Sequence, residues 1–323
     1  MKQLKVVFMG TPEFSVPVLE GLIENCNVIG VVTQPDKKVG RKQEIKFSPI
    51  KEIALIHNIK VLQPEKIKID YQEIIDLKPD IIITCAYGQI IPEELLNFPK
   101  YKCINVHASL LPKLRGGAPI HKSIIYGYEK TGITIMYMAK TMDSGDIITQ
   151  SEIKIENHFN TGIIHDKLSI MGKELLLKML PDIINNNIKP IKQNEEEVTF
   201  AYNISKEEEI IDFNKTTKEV FNQIRGLSPF PGAYSILDDK VIKIYESRIG
   251  SLKSKTPGEI ISIYKDGIGI STKDGEIIII QIKPFGKKLM SVKDYLNGIQ
   301  EPEKLLGMRF ESYEKIKRNI WIY

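Results

Sequence analysis

The feature that most constrains the fold of this chain is an alternation of short apolar runs with helix-like stretches over roughly its first 185 residues. In Asp80–Thr84, isoleucine follows isoleucine, as is typical of a strand buried on both faces. The alternation predicts an α/β fold with a Rossmann-like parallel sheet and crossover helices. The other predicted strands are Lys5–Met9, Val28–Val32, Cys103–Val106, Thr131–Met138 and Asp146–Ile155. The predicted helices are Pro12–Ile23, Pro49–Asn58, Ala118–Tyr126 and Thr161–Leu180, the last ended by Pro181.

The pattern changes after a polar stretch at 187–208, which we interpret as a linker. From Ile210 onward the apolar runs are short, and Asp266-Gly267 and Asp274-Gly275 are typical hairpin turns. Helical patterns interrupt these strands at Thr216–Ile224, closed by Gly226, and at Ser291–Leu296. Short strands with few helices predict a small OB-like β-barrel. We therefore expect domains at 1–186 and 209–323, joined by the linker.

The composition excludes several classes of protein. A net charge of +4 over 323 residues is too low for a general polyanion binder, so any nucleic-acid contact must come from a local cluster. The three cysteines lack metal-ligand spacing and lie among apolar residues, which predicts buried thiols in a reducing compartment. Since no apolar run is long enough for a signal peptide or a membrane span, we expect a cytoplasmic protein without a membrane partner.

One segment, Gln34–Lys51, is locally basic. Its six basic and two acidic residues give it the same net charge, +4, as the whole chain. Such a segment is either an ordinary solvent-exposed surface or a binding site for a polyanion beside a cleft. The second interpretation gains support because the segment follows the end of a predicted strand. The basic residues are Lys37, Lys38, Arg41, Lys42, Lys46 and Lys51.

The candidate catalytic residues are Asn105, His107 and Asp143. Asn105 and His107 lie two apart at the end of a predicted strand, so their side chains point to the same side. The amide can donate to a developing oxyanion, and the imidazole can transfer a proton near neutral pH. Asp143 opens the tight turn Asp143–Asp146 and could orient that imidazole. Together these groups suit transfer of an acyl-type group to an amine.

Other motifs give weaker signals. Gly10-Thr11-Pro12 is not a dinucleotide fingerprint, and the sequence has no Walker motif, so a nucleotide cofactor is poorly supported. The remaining histidines have no metal-ligand pattern, and we predict no metal site. The segment Tyr87–Ile91 is either an ordinary strand-to-helix loop or a pocket wall whose backbone binds a flat heterocycle.

These motifs together resemble the methionyl-tRNA formyltransferase family over nearly the whole chain. The catalytic stretch Asn105–Pro112 and the turn Asp143–Asp146 resemble the catalytic loops of that family. In the insertion that grips tRNA, this chain has Lys42 where the family commonly has a second glycine after the arginine, so the role of Lys42 stays open. The other matching segments are Met9–Phe14, Thr33–Asp36, Gly40-Arg41, Ser48–Lys51, Ala86–Pro92, Arg115–Ile120, Thr131–Thr134 and Pro229–Ala233.

The resemblance implies transfer of a formyl group from 10-formyltetrahydrofolate to the amino group of initiator methionyl-tRNA. It implies that Asn105, His107 and Asp143 are catalytic, and that Asp143 fixes the tautomer of His107 and stabilises its charged form. It implies no metal and no obligate protein partner. The implied folate-binding residues are Tyr87, Gly88, Gln89, Ile90, Ile91, Ser109, Leu110, Leu111 and Pro112, and the implied tRNA-binding residues are Lys37, Lys38, Arg41 and Lys42.

Two alternatives stay open at this point. The first is a formyltransferase for a small amine, such as a sugar nucleotide or a purine precursor, since other folate-dependent formyltransferases share the Asn-His-Asp set. The basic insertion and the second domain count against it. The second is an RNA-binding protein that has lost catalysis, against which the intact Asn105, His107 and Asp143 count.

Overall fold

The structure is a computed structural model that describes residues 1–39 and 43–319. Contacts divide it into two compact units, each discontinuous in sequence. The first unit is Met1–Pro119, Lys130–Lys154 and His165–Tyr202. The second unit is Ile120–Glu129, Ile155–Ile164 and Asn203–Tyr323. The predicted linker is therefore divided between the units after Tyr202, and the continuous domains 1–186 and 209–323 stay a prediction.

The strands of the first unit form one large sheet and one hairpin. The large sheet has seven strands in the order β5-β2-β1-β6-β7-β8-β9, and β3 pairs with β4. The strands are β1 Lys5–Gly10, β2 Asn27–Val32, β3 Lys37–Val39, β4 Glu44–Lys46, β5 Val61–Leu62, β6 Ile81–Cys85, β7 Cys103–His107, β8 Lys130–Tyr137 and β9 Ile147–Lys154. The helices that precede residue 203 in the sequence are α1 Val16–Asn25, α2 Pro49–Ile56, α3 Gln72–Asp76, α4 Glu93–Asn97, α5 Pro119–Ile125 and α6 Thr161–Ile184.

The Rossmann-like prediction is confirmed. Strands β5, β2, β1, β6 and β7 are parallel, and β8 is antiparallel to both β7 and β9, so the sheet is mixed. Strand β6 is completely buried, as its isoleucines predicted. The chain order reverses between β1 and β6, and ligands of such sheets bind outside the carboxyl ends of the strands near this point.

The second unit is a small antiparallel, barrel-like domain. Its strands follow the order β10-β11-β14-β13-β12, and β15 pairs with β14. The predicted turns at Asp266-Gly267 and Asp274-Gly275 join β12 to β13 and β13 to β14. The strands are β10 Ala233–Leu237, β11 Lys240–Ile249, β12 Ile260–Ile263, β13 Ile268–Ser271, β14 Glu276–Pro284 and β15 Met290–Ser291, and the helices are α7 Thr217–Leu227, α8 Val292–Asn297 and α9 Tyr313–Arg318.

Two predicted helix ends are wrong. Helix α6 continues past Pro181, which lies in its last turn, to Ile184. It does so because Ile183, only 2% exposed, is packed in that turn. Helix α7 continues to Leu227 because Leu227 is fully buried in the core of its unit. In both cases burial of an apolar residue outweighs the local stop signal. The predicted helix at Pro12–Ile23 begins as a 3-10 turn, Glu13–Ser15, before α1.

Candidate active site

The predicted catalytic residues meet at the carboxyl end of β7. Asn105 and His107 occupy alternate positions on this strand, which pairs with β6 on one side and with β8 on the other. His107 is buried, with 6% of its surface exposed, whereas Asn105 is partly exposed. The turn between β8 and β9 brings Asp143 against both side chains. Its carboxylate Oδ1 lies 3.6 Å from His107 Nδ1 and 3.4 Å from Asn105 Nδ2.

A backbone carbonyl, rather than Asp143, fixes the tautomer of His107. His107 Nε2 lies 3.1 Å from the carbonyl oxygen of Leu114, and a carbonyl oxygen only accepts hydrogen bonds. The ring therefore carries a hydrogen on Nε2, and Nδ1 is the nitrogen that faces Asp143. Control of the tautomer, one of the two functions implied for Asp143, thus belongs to the Leu114 carbonyl, and stabilisation of the imidazolium stays a prediction.

The backbone holds Asp143 and Leu114 in an uncommon conformation. Both are in the left-handed region, with φ of 52° at Asp143 and 62° at Leu114. Non-glycine residues at such angles are uncommon, and they concentrate at functional sites that the surroundings hold in place. Leu114 has this left-handed φ at the same residue whose carbonyl oxygen contacts His107.

The turn that carries Asp143 packs closely on β8. A side chain at Gly145 would place its Cβ 1.9 Å from the carbonyl oxygen of Tyr137, so only glycine fits this position. The N–H of Gly116, itself at φ +123°, donates to Asp143 Oδ2 at 2.9 Å. Each carboxylate oxygen of Asp143 thus has a defined neighbour.

Thr84 on β6 orients the amide of Asn105. Its hydroxyl lies 2.8 Å from Asn105 Oδ1 and donates to it. This bond turns the carbonyl of the amide towards β6, and the amide nitrogen lies on the side of Asp143. One N–H faces Asp143, and an amide nitrogen has a second N–H with which to bind a substrate oxygen.

The predicted folate loop Ser109–Pro112 follows β7 and turns towards β8 and β9. Thr134 Oγ1 donates to the carbonyl of Ser109 at 2.7 Å and accepts from the N–H of Leu111 at 3.1 Å. Gln150 Nε2 donates to the carbonyl of Leu111 at 2.9 Å. A groove of about 310 Å³ runs along this loop, lined by Leu110, Leu111, Pro112, Lys113, Lys130, Gln150, Ser151, Glu152 and Glu197.

The other predicted folate loop, Tyr87–Ile91, follows β6 and turns the opposite way, towards β1 and β2. Gln34 Nε2 and Thr11 Oγ1 donate to the carbonyl of Tyr87 at 3.0 and 3.3 Å. Burial raises the pKa of the Tyr87 hydroxyl to about 12. The two loops thus diverge from neighbouring strand ends and leave Asn105 between them. Of the residues in this loop, Tyr87 and Ile91 are buried, Gly88 and Ile90 are exposed, and Gln89 is partly exposed.

The basic segment is not an irregular loop, since β3 and β4 form a hairpin in it. Lys37 lies directly opposite Lys46, and Lys38 lies opposite Ile45. Like charges opposite each other destabilise a hairpin unless an anion lies between them. At the base of the hairpin, Lys51 is bound to Asp36 at 2.5 Å. The predicted contacts Arg41 and Lys42 lie outside the described residues.

The predicted burial of the cysteines is confirmed. All three cysteines are buried and free, and burial raises the pKa of Cys85 to about 12. Within residues 1–39 and 43–319, no group of three or more His, Cys, Asp or Glu side chains could hold a metal ion. The described part of the chain has no helix long and apolar enough to cross a membrane.

Sequence reasoning missed several residues that complete the site. No sequence pattern points to Thr84 or Gln193, and Leu114 acts through a backbone carbonyl that no side-chain pattern can indicate. The motif Arg115-Gly116 is visible in the sequence, but it does not reveal that the N–H of Gly116 donates to Asp143. Gln193 lies in the polar stretch 187–208 that the sequence predicts to be a linker.

Comparison with known proteins adds to this geometry. The model of the family described as formyl transferase matches residues 4–180, and that of the formyl transferase C-terminal domain matches residues 203–300. Methionyl-tRNA formyltransferases of Bacillus thuringiensis and Bacillus anthracis are 53% identical over 300 residues, covering 91% of this chain and 96% of those proteins.

Solved structures show the same fold at lower identity. The sugar 3N-formyl transferase WlaRD, crystallised with dTDP and 5-N-formyl-THF, has a TM-score of 0.65 and 22% identity, covering 89% of this chain and 100% of that one. HypX from Aquifex aeolicus in complex with tetrahydrofolic acid has a TM-score of 0.62 and 18% identity, and the match covers 94% of this chain and 48% of that one. At these identities the structures show the fold and leave the acceptor undecided.

Proposed function

The chain belongs to the formyl transferase family, and from this membership we propose that it transfers the formyl group of 10-formyltetrahydrofolate to the α-amino group of initiator methionyl-tRNA. The observation that carries the proposal is the 53% identity to methionyl-tRNA formyltransferases over 91% of the chain, which spans both matched family domains. The proposed place of the reaction is the cytoplasm. The chemistry needs no membrane and no second protein.

The site residues supply the steps that such a transfer requires. The free amine attacks the formyl carbon, a carbon–nitrogen bond forms, and the formyl oxygen becomes an oxyanion. We assign the N–H of Asn105 to this oxyanion, where one such donor is worth roughly 3–4 kcal/mol of transition-state stabilisation. The bond from Thr84 to the amide oxygen holds the amide in one orientation.

Proton transfer is assigned to His107. Its Nδ1 takes the proton that the attacking amine loses and passes it to N10 of the folate, whose bond to the formyl carbon then breaks. The products are formylmethionyl-tRNA and tetrahydrofolate, so protons and bonds balance. Asp143, 3.6 Å from Nδ1, stabilises the imidazolium while it exists.

We assign the folate to the strand ends between the two diverging loops. Backbone groups of Tyr87–Ile91 and Ser109–Pro112 flank Asn105, and the groove along Ser109–Pro112 has room for part of a flat ligand. This placement puts the formyl carbon beside the catalytic side chains. A complex in which the pterin occupied the second unit would contradict the assignment.

For the tRNA we propose contacts from the basic hairpin. Lys37 and Lys38 on β3, together with Arg41 and Lys42 further along the same basic segment of the sequence, supply positive charge for the acceptor stem. The opposed lysines, Lys37 and Lys46, support this role because their repulsion is relieved by a bound phosphate. The second unit is proposed to support the tRNA backbone.

The test is formylation of charged tRNA. The protein is incubated with 10-formyltetrahydrofolate and initiator methionyl-tRNA, and formylmethionine is measured after alkaline release of the amino acid. Parallel reactions contain elongator methionyl-tRNA, uncharged initiator tRNA, or a dTDP-amino sugar. Formylation of the initiator alone is expected. Formylation of the amino sugar without the tRNA would instead support the small-amine alternative.

A further inference from the structure

One glutamine side chain, Gln193, binds the turn that carries Asp143. Gln193 Nε2 donates to the carbonyl oxygen of Asp143 at 2.8 Å and to that of Gly145 at 2.8 Å. The two carbonyls lie on either side of Ser144, so one amide group spans the turn. Both N–H groups of the amide are used in these bonds.

The orientation of this amide is determined by Arg115. Gln193 Oε1 accepts from Arg115 Nε at 3.0 Å and from Nη2 at 2.8 Å. Because a guanidinium group only donates, the oxygen of the amide must face Arg115 and the nitrogen must face the turn. Arg115 is buried, and it also binds both carboxylate oxygens of Glu195 at 2.8 and 3.2 Å.

The same segment holds the carboxylate itself. Gly116, which follows Arg115, donates its N–H to Asp143 Oδ2 at 2.9 Å. Asp143 is thus held twice, at its side chain by Gly116 and at its backbone by Gln193. Its left-handed φ of 52° is uncommon for a residue other than glycine.

We propose that Gln193 is a positioning residue for the transfer, which keeps the carboxylate of Asp143 against His107. The kinetic consequence of this inference rests on the proposed function. Gln193 lies on the segment that joins the two predicted domains, so part of this connection completes the active site of the first unit. None of the described contacts of Gln193 involves a predicted substrate-binding residue, so its effect is expected on turnover.

The first test compares Gln193→Met with Gln72→Met. Methionine matches glutamine in length and lacks the N–H groups, and Gln72 is an exposed glutamine that bonds to Asp76 far from the site in sequence. We expect Gln193→Met to lower kcat about tenfold, which is less than the roughly 100-fold cost of misplacing a catalytic group by 1 Å. KM for both substrates should stay within about twofold of the wild type. An unchanged kcat would overturn the proposal.

The second test is a double-mutant cycle with Asp143→Asn. If Gln193 acts through the carboxylate, Gln193→Met should lower kcat by less than about twofold in the Asp143→Asn background. Losses that multiply would mean that Gln193 acts on something other than Asp143, which would overturn the proposal.

The third test does not need activity. Hydrogen–deuterium exchange is measured for peptides that cover residues 140–146 in the wild type and in the two glutamine variants. Gln193→Met should speed exchange there at least about threefold, and Gln72→Met should leave it unchanged. Unchanged exchange in Gln193→Met would overturn the inference. Faster exchange in a protein whose wild type fails to formylate tRNA would refute the proposed function and keep the positioning role.

Discussion

His107 Nε2 lies 3.1 Å from the carbonyl oxygen of Leu114, and this one contact decides which nitrogen of the ring can take part in proton transfer. The hydrogen that Nε2 donates to Leu114 stays in place, so Nδ1 is left towards Asp143. Leu114 is itself buried and left-handed, and Lys113 alone separates it from the folate loop Ser109–Pro112. The chain that leaves the loop expected to bind the donor therefore also orients the base.

The strongest predicted losses concern the two groups on β7. Asn105→Ala and His107→Ala should each lower kcat at least about 100-fold, since they remove the oxyanion donor and the proton-transfer group. Steady-state kinetics measure the loss, and circular dichroism checks that each variant is folded. Near-normal turnover in either variant would remove that residue from the mechanism.

Thr84 provides a finer test of the same amide. Thr84→Val keeps the shape of the side chain and removes the bond to Asn105 Oδ1, so the amide loses its fixed orientation. We expect kcat to fall about tenfold and the free energy of unfolding to fall by about 1–2 kcal/mol. Thr84→Ser, which keeps the hydroxyl, is the matched control and should stay within about twofold in kcat. Equal losses in both variants would show that packing matters and the hydroxyl does not.

The opposed lysines of the hairpin, Lys37 and Lys46, should lower the free energy of unfolding and strengthen the binding of tRNA. Lys46→Gln removes the repulsion from Lys37, so the free energy of unfolding should stay equal or rise slightly. If Lys46 contacts a phosphate, the logarithmic salt dependence of tRNA binding should lose about one unit of slope. Binding is measured by titration at several salt concentrations, with Lys178→Gln, which changes an exposed lysine of α6 in the first unit, as a charge-matched control. An unchanged slope would make the hairpin a solvated face.

Arg41 lies outside the described residues, yet the sequence makes its expected effect clear. Its guanidinium can clamp a phosphate or read a base edge, so Arg41→Ala should raise the apparent KM for initiator tRNA and leave folate binding unchanged. Separate titrations of tRNA and folate measure the two effects. Unaltered tRNA kinetics would increase the weight of the small-amine alternative.

Acid should weaken the contact between Arg115 and Glu195. The hydrogen bond from Arg115 lowers the pKa of Glu195 in the folded protein. A carboxyl group with a lowered folded pKa adds stability above its unfolded pKa, about 4.3, and loses it as pH falls through the folded value. The stability difference between the wild type and Glu195→Gln should therefore shrink between about pH 5 and pH 3, as measured by urea unfolding. A difference that is constant with pH would contradict the ion pair.

Local sequence patterns are sufficient for the longer strands and helices and for the two residues that share β7, but they do not predict the hairpin of β3 and β4, strand β5 or helix α3. The isoleucines of β6 determine its burial, the period of two places Asn105 and His107 on one side, and glycine at 145 permits the turn after Asp143. These features depend on backbone geometry and on burial within a few residues, and both leave a periodic signal in the sequence.

Only the tertiary structure decided which groups hold the catalytic side chains. The bonds from Thr84 to Asn105 and from Gln193 to Asp143 join residues 21 and 50 positions apart. Such bonds form because the sheet order and a returning segment bring the partners together, and no local pattern records that meeting. The same is true of the extended ends of α6 and α7, where burial of Ile183 and Leu227 outweighs local stop signals. Sequence therefore determined what chemistry the chain carries, and long-range packing determined how that chemistry is held.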